Sequence, residues 1–470
     1  MDGAGLARAA ETGGRLPLWR AELGAMLRLA APIVLTQLAW VAIMATDVAL
    51  IGRLGANPLA GASLSLMLFF LGYLVCFGVI MATAALTAQA FGARKPRMLR
   101  RVVRQGLWVT VLLTVPMVAI FGYTGGILRA LGQPADVVPY AEAYMSTLKW
   151  ALPPTIAFAV LRNFVSALNR PAVALWVMLA GVPANALLGY ALIFGYFGMP
   201  RLELIGAGIA ASAVNLAMFV ALLAIAVLRR PFARYTILVR FWRPDWQVFG
   251  QIFRIGLPIA GTMLLEGGFF IGAVFVAGQF GATVIAAHMI AMQLPHISFM
   301  VPMGLAQAAT VRVGQAVGRR DAAGAYRAGW TAFAVTLAFM TLMTGIVLAI
   351  PHLFASVFMD HDRADSAAVL ALAATFLFYA AFFQMADGVQ AVVAGALRGV
   401  NDTAVPMALA AVSYWVVGAG AGFAFAYGAG MEGAGLWLGF DCGLACAAVL
   451  LTWRLIRLSR LRHIPAVVGG

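Results

Sequence analysis

Apolar runs of membrane-spanning length recur along the whole chain, and they restrict its fold more than any other feature. A helix of about 20 residues crosses the ~30 Å hydrocarbon layer of a bilayer. The backbone within that layer must satisfy its own hydrogen bonds, in helices or closed barrels. The runs, such as LPIAGTMLLEGGFFIGAVFVAGQF at residues 257–280, are continuous rather than alternating, which selects helices. With 63% hydrophobic and only 10% charged residues, the chain lacks the polar surface of a soluble protein, and we predict an all-α polytopic membrane protein.

Twelve transmembrane helices are predicted. The largest polar stretch, RRPFARYTILVRFWRPDW at residues 229–246, divides the apolar runs six and six. The predicted helices 1 to 12 cover residues 26–51, 58–91, 98–121, 136–168, 171–196, 206–228, 247–277, 284–316, 322–349, 366–396, 403–428 and 433–456. The expected domains are a cytoplasmic N-terminal segment (1–25), an N-terminal six-helix bundle (26–228), a cytoplasmic linker (229–246), a C-terminal six-helix bundle (247–456) and a basic cytoplasmic tail (457–470).

The basic residues predict the orientation of the chain. They gather at the N-terminus, in residues 93–104, in the central linker, in residues 317–327 and in residues 454–463. With twelve crossings all of these segments lie on one face, which the excess of Lys and Arg makes cytoplasmic. The net charge of +15 would indicate nucleic-acid binding in a soluble protein, but here it follows from topology, so no nucleic-acid partner is expected. Because Arg greatly outnumbers Lys and Ala is abundant, we predict a bacterial plasma (inner) membrane protein, with both termini cytoplasmic.

The two halves of the chain repeat. A shift of 226 residues relates them in a gapless register over residues 28–92. It carries Pro32 to Pro258, and Gly55 to Gly281. A half with six crossings starts and ends on the same side, so we expect two parallel bundles related by a pseudo-two-fold axis along the membrane normal, with a site between them. The mirrored prolines are expected either to kink helices 1 and 7 or to stand at helix starts.

Few acidic residues fall deep inside the predicted helices: Asp47 in helix 1, Glu266 in helix 7, Asp387 in helix 10 and Asp441 in helix 12. A charged side chain at the bilayer centre costs at least ~2.5–3.5 kcal/mol, so a function is the default interpretation. The alternative is that each acid only hydrogen-bonds a neighbouring helix. We prefer that alternative for Asp441, which lies nearer a helix end.

Depth along the helices places two of these acids together. Glu266 lies twelve residues beyond Arg254, and Asp387 lies eleven residues before Arg398. These separations correspond to about 18 Å and about 16 Å of helix. With both arginines at the cytoplasmic boundary, the two carboxylates lie near the midplane of one half. Such a pair in a low-dielectric site is suited to binding Na⁺ or sharing a proton.

The motifs of enzymes and of ATP-driven transporters are absent from the sequence. The five histidines form no metal-ligand pair on one helix, and there is no GxxxxGK[ST] phosphate loop. We therefore predict a protein that is not an enzyme and has no bound cofactor. Its energy would come from an ion gradient, with Na⁺ or H⁺ as the coupling ion.

Four segments carry a family resemblance. They are PIVLTQLAWVAIMATDVALIGRLGANPLAGASL (32–64), VIAAHMIAMQLPHISFMVPMGLAQAATVRVGQAVG (284–318), FQMADGVQAVVAGALRGVNDTAVP (383–406) and SYWVVG (413–418). They resemble helices 1, 8, 10 and 11 of the multidrug and toxic compound extrusion (MATE) transporters. The acids of helices 1, 7 and 10 resemble those of the NorM branch of that family.

The resemblance implies twelve helices in two bundles that form a V, and export of organic cations in exchange for Na⁺ or H⁺. Glu266 and Asp387 would bind the coupling cation, as metal ligands if it is Na⁺. Asp47 would form a second cation or substrate site in the other half. The expected substrate-binding residues are Asp47, Asn185, Glu266, Asp387, Trp40, Met44, Met263, Met292 and Phe383. For the Met and aromatic residues, ordinary packing is the alternative.

Two positions depart from the pattern of the NorM branch, and two other functions stay open. Helix 5 keeps Asn185 but has Gly189 where the branch often has a second Asn, and Phe383 replaces a Tyr often found before the acid of helix 10. A flippase for lipids or lipid-linked precursors is the main alternative, for which a cleft lined by arginines is expected. A channel is another. The expected partners are small organic cations and membrane lipids, with the chain as a monomer.

Overall fold

The computed structural model describes residues 15–349 and 366–460, which are mostly helical. The outer parts of the predicted N-terminal segment and C-terminal tail therefore lie outside the described residues. Numbered after the predicted helices, the main elements are α1 (Arg15–Gly52), α2 (Ala56–Gly92), α3 (Pro96–Phe121), α4a (Val138–Leu148), α4b (Leu152–Ala167), α5 (Ala172–Phe194), α6 (Glu203–Leu228), α7 (Trp246–Gln279), α8a (Ala282–Ser298), α8b (Met300–Gly318), α9 (Ala322–Ala349), α10 (Ser366–Gly399), α11 (Ala404–Gly428) and α12 (Glu432–Arg460). A short helix at Thr124–Ala130 and a 3₁₀ helix at Phe232–Tyr235 lie in the connections. The prediction of an all-α polytopic membrane protein is confirmed.

Helix 4 differs from the prediction. Among the described residues, eleven helices are long and apolar enough to cross a membrane, and the fourth segment is not one of them. A 3₁₀ turn at Lys149–Ala151 divides it into α4a, of 11 residues, and α4b, of 16 residues. The sequence explains the break, because Pro153 and Pro154 at the start of α4b lack the N–H groups that would continue the preceding helix.

The backbone repeats with the same shift of 226 residues as the sequence. Gly55 precedes α2 with φ of 116°, and Gly281 precedes α8a with φ of 108°. Glycine adopts such angles without a steric cost, because it has no Cβ. Arg94 and Arg320, which follow α2 and α8b, also have positive φ, of 53° and 60°. The turns at both ends of these helices are therefore equivalent in the two halves.

The described chain divides into two compact units. One is Leu35–Ala260. The other, called here the composite unit, contains the described residues up to Val34 together with those from Gly261 onward. The predicted bundle boundaries, at 26–228 and 247–456, stay a prediction.

The two breaks between the units fall inside helices, at positions that the repeat makes equivalent. One lies in α1 after Val34 and the other lies in α7 after Ala260. Pro32 and Pro258 lie inside these helices, two residues before each break. The alternative that the prolines start the helices is therefore wrong. An interior proline removes one helical hydrogen bond, so each break follows a locally weakened turn.

Among the close helix crossings at glycines, one in each unit involves equivalent positions of the repeat. In Leu35–Ala260, a Cβ added to Gly78 of α2 would lie 2.8 Å from the Cβ of Ala260. In the composite unit, a Cβ added to Gly304 of α8b would lie 2.9 Å from the Cα of Val34. Small residues of this kind let two helix backbones approach closely in a membrane protein. The two crossings involve equivalent residues of the repeat.

We expect Gly304→Ala to lower the free energy of unfolding by about 1–3 kcal/mol, the usual effect of overpacking. The added methyl group would press on the backbone of Val34, which has no flexible end to move away. Gly345→Ala in α9 is the matched control, because no described residue of another element lies within 4 Å of its added Cβ. The measurement is thermal unfolding of both purified variants in detergent. Equal stability of the two would contradict the packing described.

A buried ion pair joins α1 to α8b in the composite unit. Arg312 donates from Nε and Nη2 to the two carboxylate oxygens of Glu22, at 2.9 and 2.6 Å. The side chains of Arg312 and Glu22 are only 8% and 5% exposed. The repeat makes Val248 and Leu86 their equivalents, and both of these are buried. The two halves therefore fill the same positions with an ion pair in one case and apolar side chains in the other.

The central linker is held against α3. Asp245 pairs with Arg101, and Nη1 of Arg104 donates a 2.8 Å hydrogen bond to the carbonyl of Arg240. The hydrogen bond from Arg101 holds the pKa of Asp245 below its usual value. The linker is thus an ordered part of the unit Leu35–Ala260.

Candidate functional site

Glu266 of α7 and Asp387 of α10 lie in one polar site of the composite unit. The amide nitrogen Nε2 of Gln390 donates to Oε1 of Glu266 at 2.9 Å and to Oδ1 of Asp387 at 3.1 Å. One amide group thus bridges the two carboxylates. The structure brings together the two acids that depth counting placed at a similar height.

Both ends of the Gln390 amide group are hydrogen-bonded, the nitrogen to the two acids and the oxygen to Tyr414. Gln390 lies three residues after Asp387, on the same face of α10. The hydroxyl of Tyr414 in α11 donates a 2.6 Å hydrogen bond to its Oε1, and the ring of Tyr414 stacks on Phe269 at 5.8 Å. Because the amide oxygen is engaged by Tyr414, the amide nitrogen faces the acids.

Neither Gln390 nor Tyr414 was predicted from the sequence as a site residue. The three-residue spacing from Asp387 was a signal that would have found Gln390. Tyr414 lies in the segment SYWVVG, which carried the family resemblance, but nothing in its spacing ties it to the acids. The network thus contains one tyrosine hydroxyl, which comes from α11.

A third polar residue continues this face of α10. Gln384 lies three residues before Asp387 and is buried. Ser298 at the end of α8a donates a 2.9 Å hydrogen bond to its Oε1. Its amide nitrogen has no partner among the described residues, so α10 carries a further uncommitted hydrogen-bond donor one turn before Asp387.

The charge of the two acids is not neutralised by a bonded cation. Asp387 is 5% exposed and Glu266 is half-buried. Arg398, one of the arginines used for depth counting, interacts electrostatically with Glu266, but the ion pairs of the described residues involve neither acid. Two nearby carboxylates away from water repel each other strongly, so the arrangement favours uptake of a proton or a small cation. In the described part of the chain no three His, Cys, Asp or Glu side chains form a metal-ligand group.

The apolar neighbours of this site form a tight aromatic cluster. Phe383, predicted to contact substrate, is 1% exposed and packs against Phe270, Trp437 and Phe440, each with ring centres 5.8 Å away. Met292 is half-buried against the same cluster. In this state Phe383 is a core residue, so a contact with substrate requires the cluster to open.

Met263 and Asp441 complete the predicted residues of the composite unit. Met263 is half-buried in α7, one turn before Glu266. Asp441 is half-buried in α12, and its Oδ1 has no hydrogen-bond partner among the described residues. Neither residue hydrogen-bonds to the network of the two acids.

Asp47 belongs to a separate polar cluster in the unit Leu35–Ala260. Asn185 of α5 donates from Nδ2 to Oδ1 of Asp47 at 2.6 Å, and both residues are buried. The hydroxyl of Tyr144 in α4a interacts electrostatically with Asp47 and has no hydrogen-bond partner in the described part of the chain. Trp40 and Met44 are half-buried on α1. The cluster is a carboxylate with one amide donor and one uncommitted hydroxyl, and no sequence signal had indicated Tyr144.

We expect Tyr414→Phe to weaken binding of a small cation by Glu266 and Asp387 about tenfold, because a hydrogen bond in such a network contributes about 1–1.5 kcal/mol. Without the hydroxyl, Gln390 is free to turn its amide away from the acids. Tyr379→Phe is the control, since the hydroxyl of this half-buried residue of α10 is in none of the hydrogen bonds described above. Binding of ²²Na⁺ to both purified variants, measured against Na⁺ concentration and pH, tests the prediction. Equal apparent ion affinities of the two variants would contradict it.

The chain matches the protein-family model MatE over residues 32–191 and 258–423, two segments that begin at equivalent positions of the repeat. It is 43% identical over 457 residues to the "Probable multidrug resistance protein NorM" of Mesorhizobium japonicum, covering 96% of this chain and 98% of that protein. The protein of the same name from Bradyrhizobium diazoefficiens is also 43% identical, over 92% of this chain and 93% of its own length. The crystal structure of the eukaryotic MATE transporter AtDTX14 has a TM-score of 0.84 at 21% identity, covering 94% of this chain and 98% of that one. At that identity the structural likeness concerns the fold alone.

Proposed function

Because the chain belongs to the MatE family, we propose that it is an antiporter that exports organic cations in exchange for Na⁺ or H⁺. The observation that supports this most directly is the pair Glu266 and Asp387, which Gln390 bridges and which forms no ion pair among the described residues. The names of the NorM relatives indicate multidrug resistance, which agrees with cationic, amphipathic substrates.

Coupling follows from competition for the two acids. In the outward-open state Glu266 and Asp387 take up Na⁺ or H⁺ from outside. The bound cation removes the repulsion between the carboxylates, which lowers the cost of burying them and favours repacking of the helices around them with release of the drug. In the inward-open state the cation leaves and the bare carboxylates attract a cationic substrate. Each ligand needs only different affinities for the two states.

Gln390 and Tyr414 have a positioning role in this scheme. They hold one amide donor between the acids, so that the site keeps its geometry when the cation is absent. The cluster of Asp47 with Asn185 would form the second cation or substrate site. The proposed substrate-binding residues include these acids together with Trp40, Met44, Met263, Met292 and Phe383, as predicted from the sequence.

We place the protein in the bacterial plasma membrane as a monomer, with both termini in the cytoplasm, since the positive-inside rule favours that orientation. A lipid flippase is not favoured. Its anionic substrates would require basic side chains, whereas the polar groups of the candidate sites are acids and amides. Neither cofactor binding nor catalysis is proposed.

The test is coupled transport in proteoliposomes that contain the purified chain. An imposed Na⁺ gradient or pH gradient, applied separately, is expected to drive ethidium movement in the opposite direction. Conversely, an ethidium gradient is expected to move the same ion, measured with ²²Na⁺ or a pH-sensitive dye. Ethidium movement that is independent of both ions would refute antiport, and an ion current without ethidium would indicate a channel.

A further inference from the structure

The unit Leu35–Ala260 contains a buried cation that forms no ion pair in the described part of the chain. Arg162 of α4b is 7% exposed. Its Nη1 donates a 3.1 Å hydrogen bond to Oε1 of Gln37, and its guanidinium lies 5.7 Å from the ring centre of Phe77. Its Nε and Nη2 are buried and have no hydrogen-bond partner among the residues that the structure describes. A buried charge that is not paired destabilises a fold. The presence of Arg162 therefore indicates a function other than packing.

The two unpaired nitrogens lie on one edge of the guanidinium, and elsewhere in this protein the same edge binds a carboxylate. In Arg312, Nε and Nη2 donate to the two oxygens of Glu22 at 2.9 and 2.6 Å. Pairing of this bidentate kind is selective for planar anions with two oxygens. The edge that Arg162 leaves unpaired therefore indicates a carboxylate ligand.

A ladder of aromatic rings leads to Arg162. Phe70, Tyr73 and Phe77 share one face of α2 and stack with ring centres 6.2 and 5.1 Å apart. Trp40 of α1 stacks on Tyr73 at 6.0 Å, and the interplanar angles along the ladder are between 15° and 23°. Phe70 is 43% exposed, whereas Phe77 is buried against the guanidinium. Faces of this kind attract flat ring systems and cations.

We propose that Arg162 determines specificity for zwitterionic substrates, which are flat aromatic cations that carry a carboxylate. The carboxylate pairs with Nε and Nη2 of Arg162, while the ring system stacks on Trp40 and Tyr73. The inference rests on the proposed function, because the two nitrogens are covered in this state and a ligand reaches them only when helices move during transport.

Two fluorescent dyes separate this inference from cation binding in general. Rhodamine 110 and rhodamine 123 share one ring system, but the first carries a free carboxylate and the second carries its methyl ester. Their dissociation constants are measured by fluorescence polarisation with the purified full-length chain. We expect the natural sequence to bind rhodamine 110 at least as tightly as rhodamine 123. Arg162→Gln is expected to weaken binding of rhodamine 110 more than binding of rhodamine 123. The ratio of the dissociation constant of rhodamine 110 to that of rhodamine 123 should rise about tenfold or more, because a charged bidentate pair is lost.

Two further variants sharpen the test. Arg162→Lys keeps the charge but not the planar pair of donors, so a smaller rise in the ratio is expected. Arg104→Gln is the matched control, since it removes a buried arginine of α3 in the same unit that bonds the Arg240 carbonyl, and it is expected to leave the ratio unchanged. Thermal unfolding is expected to show no loss of stability in Arg162→Gln, because the replaced charge is unpaired.

Two results would overturn the inference. One is a tenfold preference of the natural sequence for rhodamine 123, which needs no variant to fold. The other is an unchanged ratio in folded Arg162→Gln. Since binding is measured without an ion gradient, a chain that shows the expected ratio but exchanges no ion would count against antiport and not against Arg162.

Discussion

Replacing Glu266 by Gln, or Asp387 by Asn, is expected to abolish ion-driven efflux while leaving membrane insertion intact. Each change removes one of the two negative charges that take up the coupling cation and keeps the shape of the side chain. The remaining acid no longer faces a second carboxylate, so binding of the cation ceases to relieve any repulsion. Accumulation of ethidium in a pump-deficient host, normalised to the amount of protein in the membrane, measures the effect, and both variants are expected to accumulate as much as cells without the transporter.

Asp441→Asn is the matched control for these two changes. It removes a carboxylate from a membrane helix of the same unit, but Asp441 hydrogen-bonds to neither acid nor to Gln390. It is expected to retain most of the ion-driven efflux. Efflux at the natural level by both Glu266→Gln and Asp387→Asn would defeat the assignment of these residues as the coupling site.

Glu22→Ala is expected to lower the free energy of unfolding by about 3–5 kcal/mol, the usual effect of leaving one member of a buried ion pair unpaired. The guanidinium of Arg312 would keep its charge in a site that is almost closed to solvent and would lose both carboxylate oxygens. Arg312→Leu is expected to be similarly harmful, since it leaves Glu22 without its partner. Thermal unfolding of the purified variants in detergent measures the change.

The repeat supplies the rescue experiment for this ion pair. The other half carries Val248 and Leu86 at the equivalent positions, so the double variant Glu22→Val with Arg312→Leu copies an apolar arrangement that the protein already uses. It is expected to recover most of the stability lost in either single variant, because a buried ion pair and well-packed apolar residues are often close in stability. Glu203→Gln, in an exposed pair with Arg201, is expected to change the free energy of unfolding by less than about 1 kcal/mol. A double variant as unstable as the singles would contradict this account.

The proximity of Glu266 to Asp387 was accessible from the sequence, whereas their partners were not. Depth along a helix follows from the number of residues after a basic boundary residue, because each residue adds a fixed rise. The rotation of a helix about its axis is much harder to obtain, since lipid and neighbouring helices are both apolar and the hydrophobic pattern hardly distinguishes them. The contact of Tyr414 with Gln390 depends on such rotations of α10 and α11.

The break in helix 4 had a local signal that went unused. The sequence LPP at residues 152–154 places two prolines at the start of α4b. A prediction based on the length of apolar segments does not detect this break, because the apolar residues continue on both sides of the two prolines. The division of the chain after Val34 and Ala260 has no local signal of this kind. It depends on which helices pack against the first turns of α1 and α7. Such packing between distant segments does not follow from the number of residues along one helix, as depth does.

The place of those divisions has a consequence for the origin of the molecule. The chain passes from one unit to the other inside α1 and α7 and not through the central linker, which lies within Leu35–Ala260. Cutting the gene at the linker would therefore give two fragments, each of which holds pieces of both units and completes neither. Before the duplication, a single six-helix ancestor would have needed a second copy, with the beginning of its first helix exchanged between the partners as in a domain-swapped dimer.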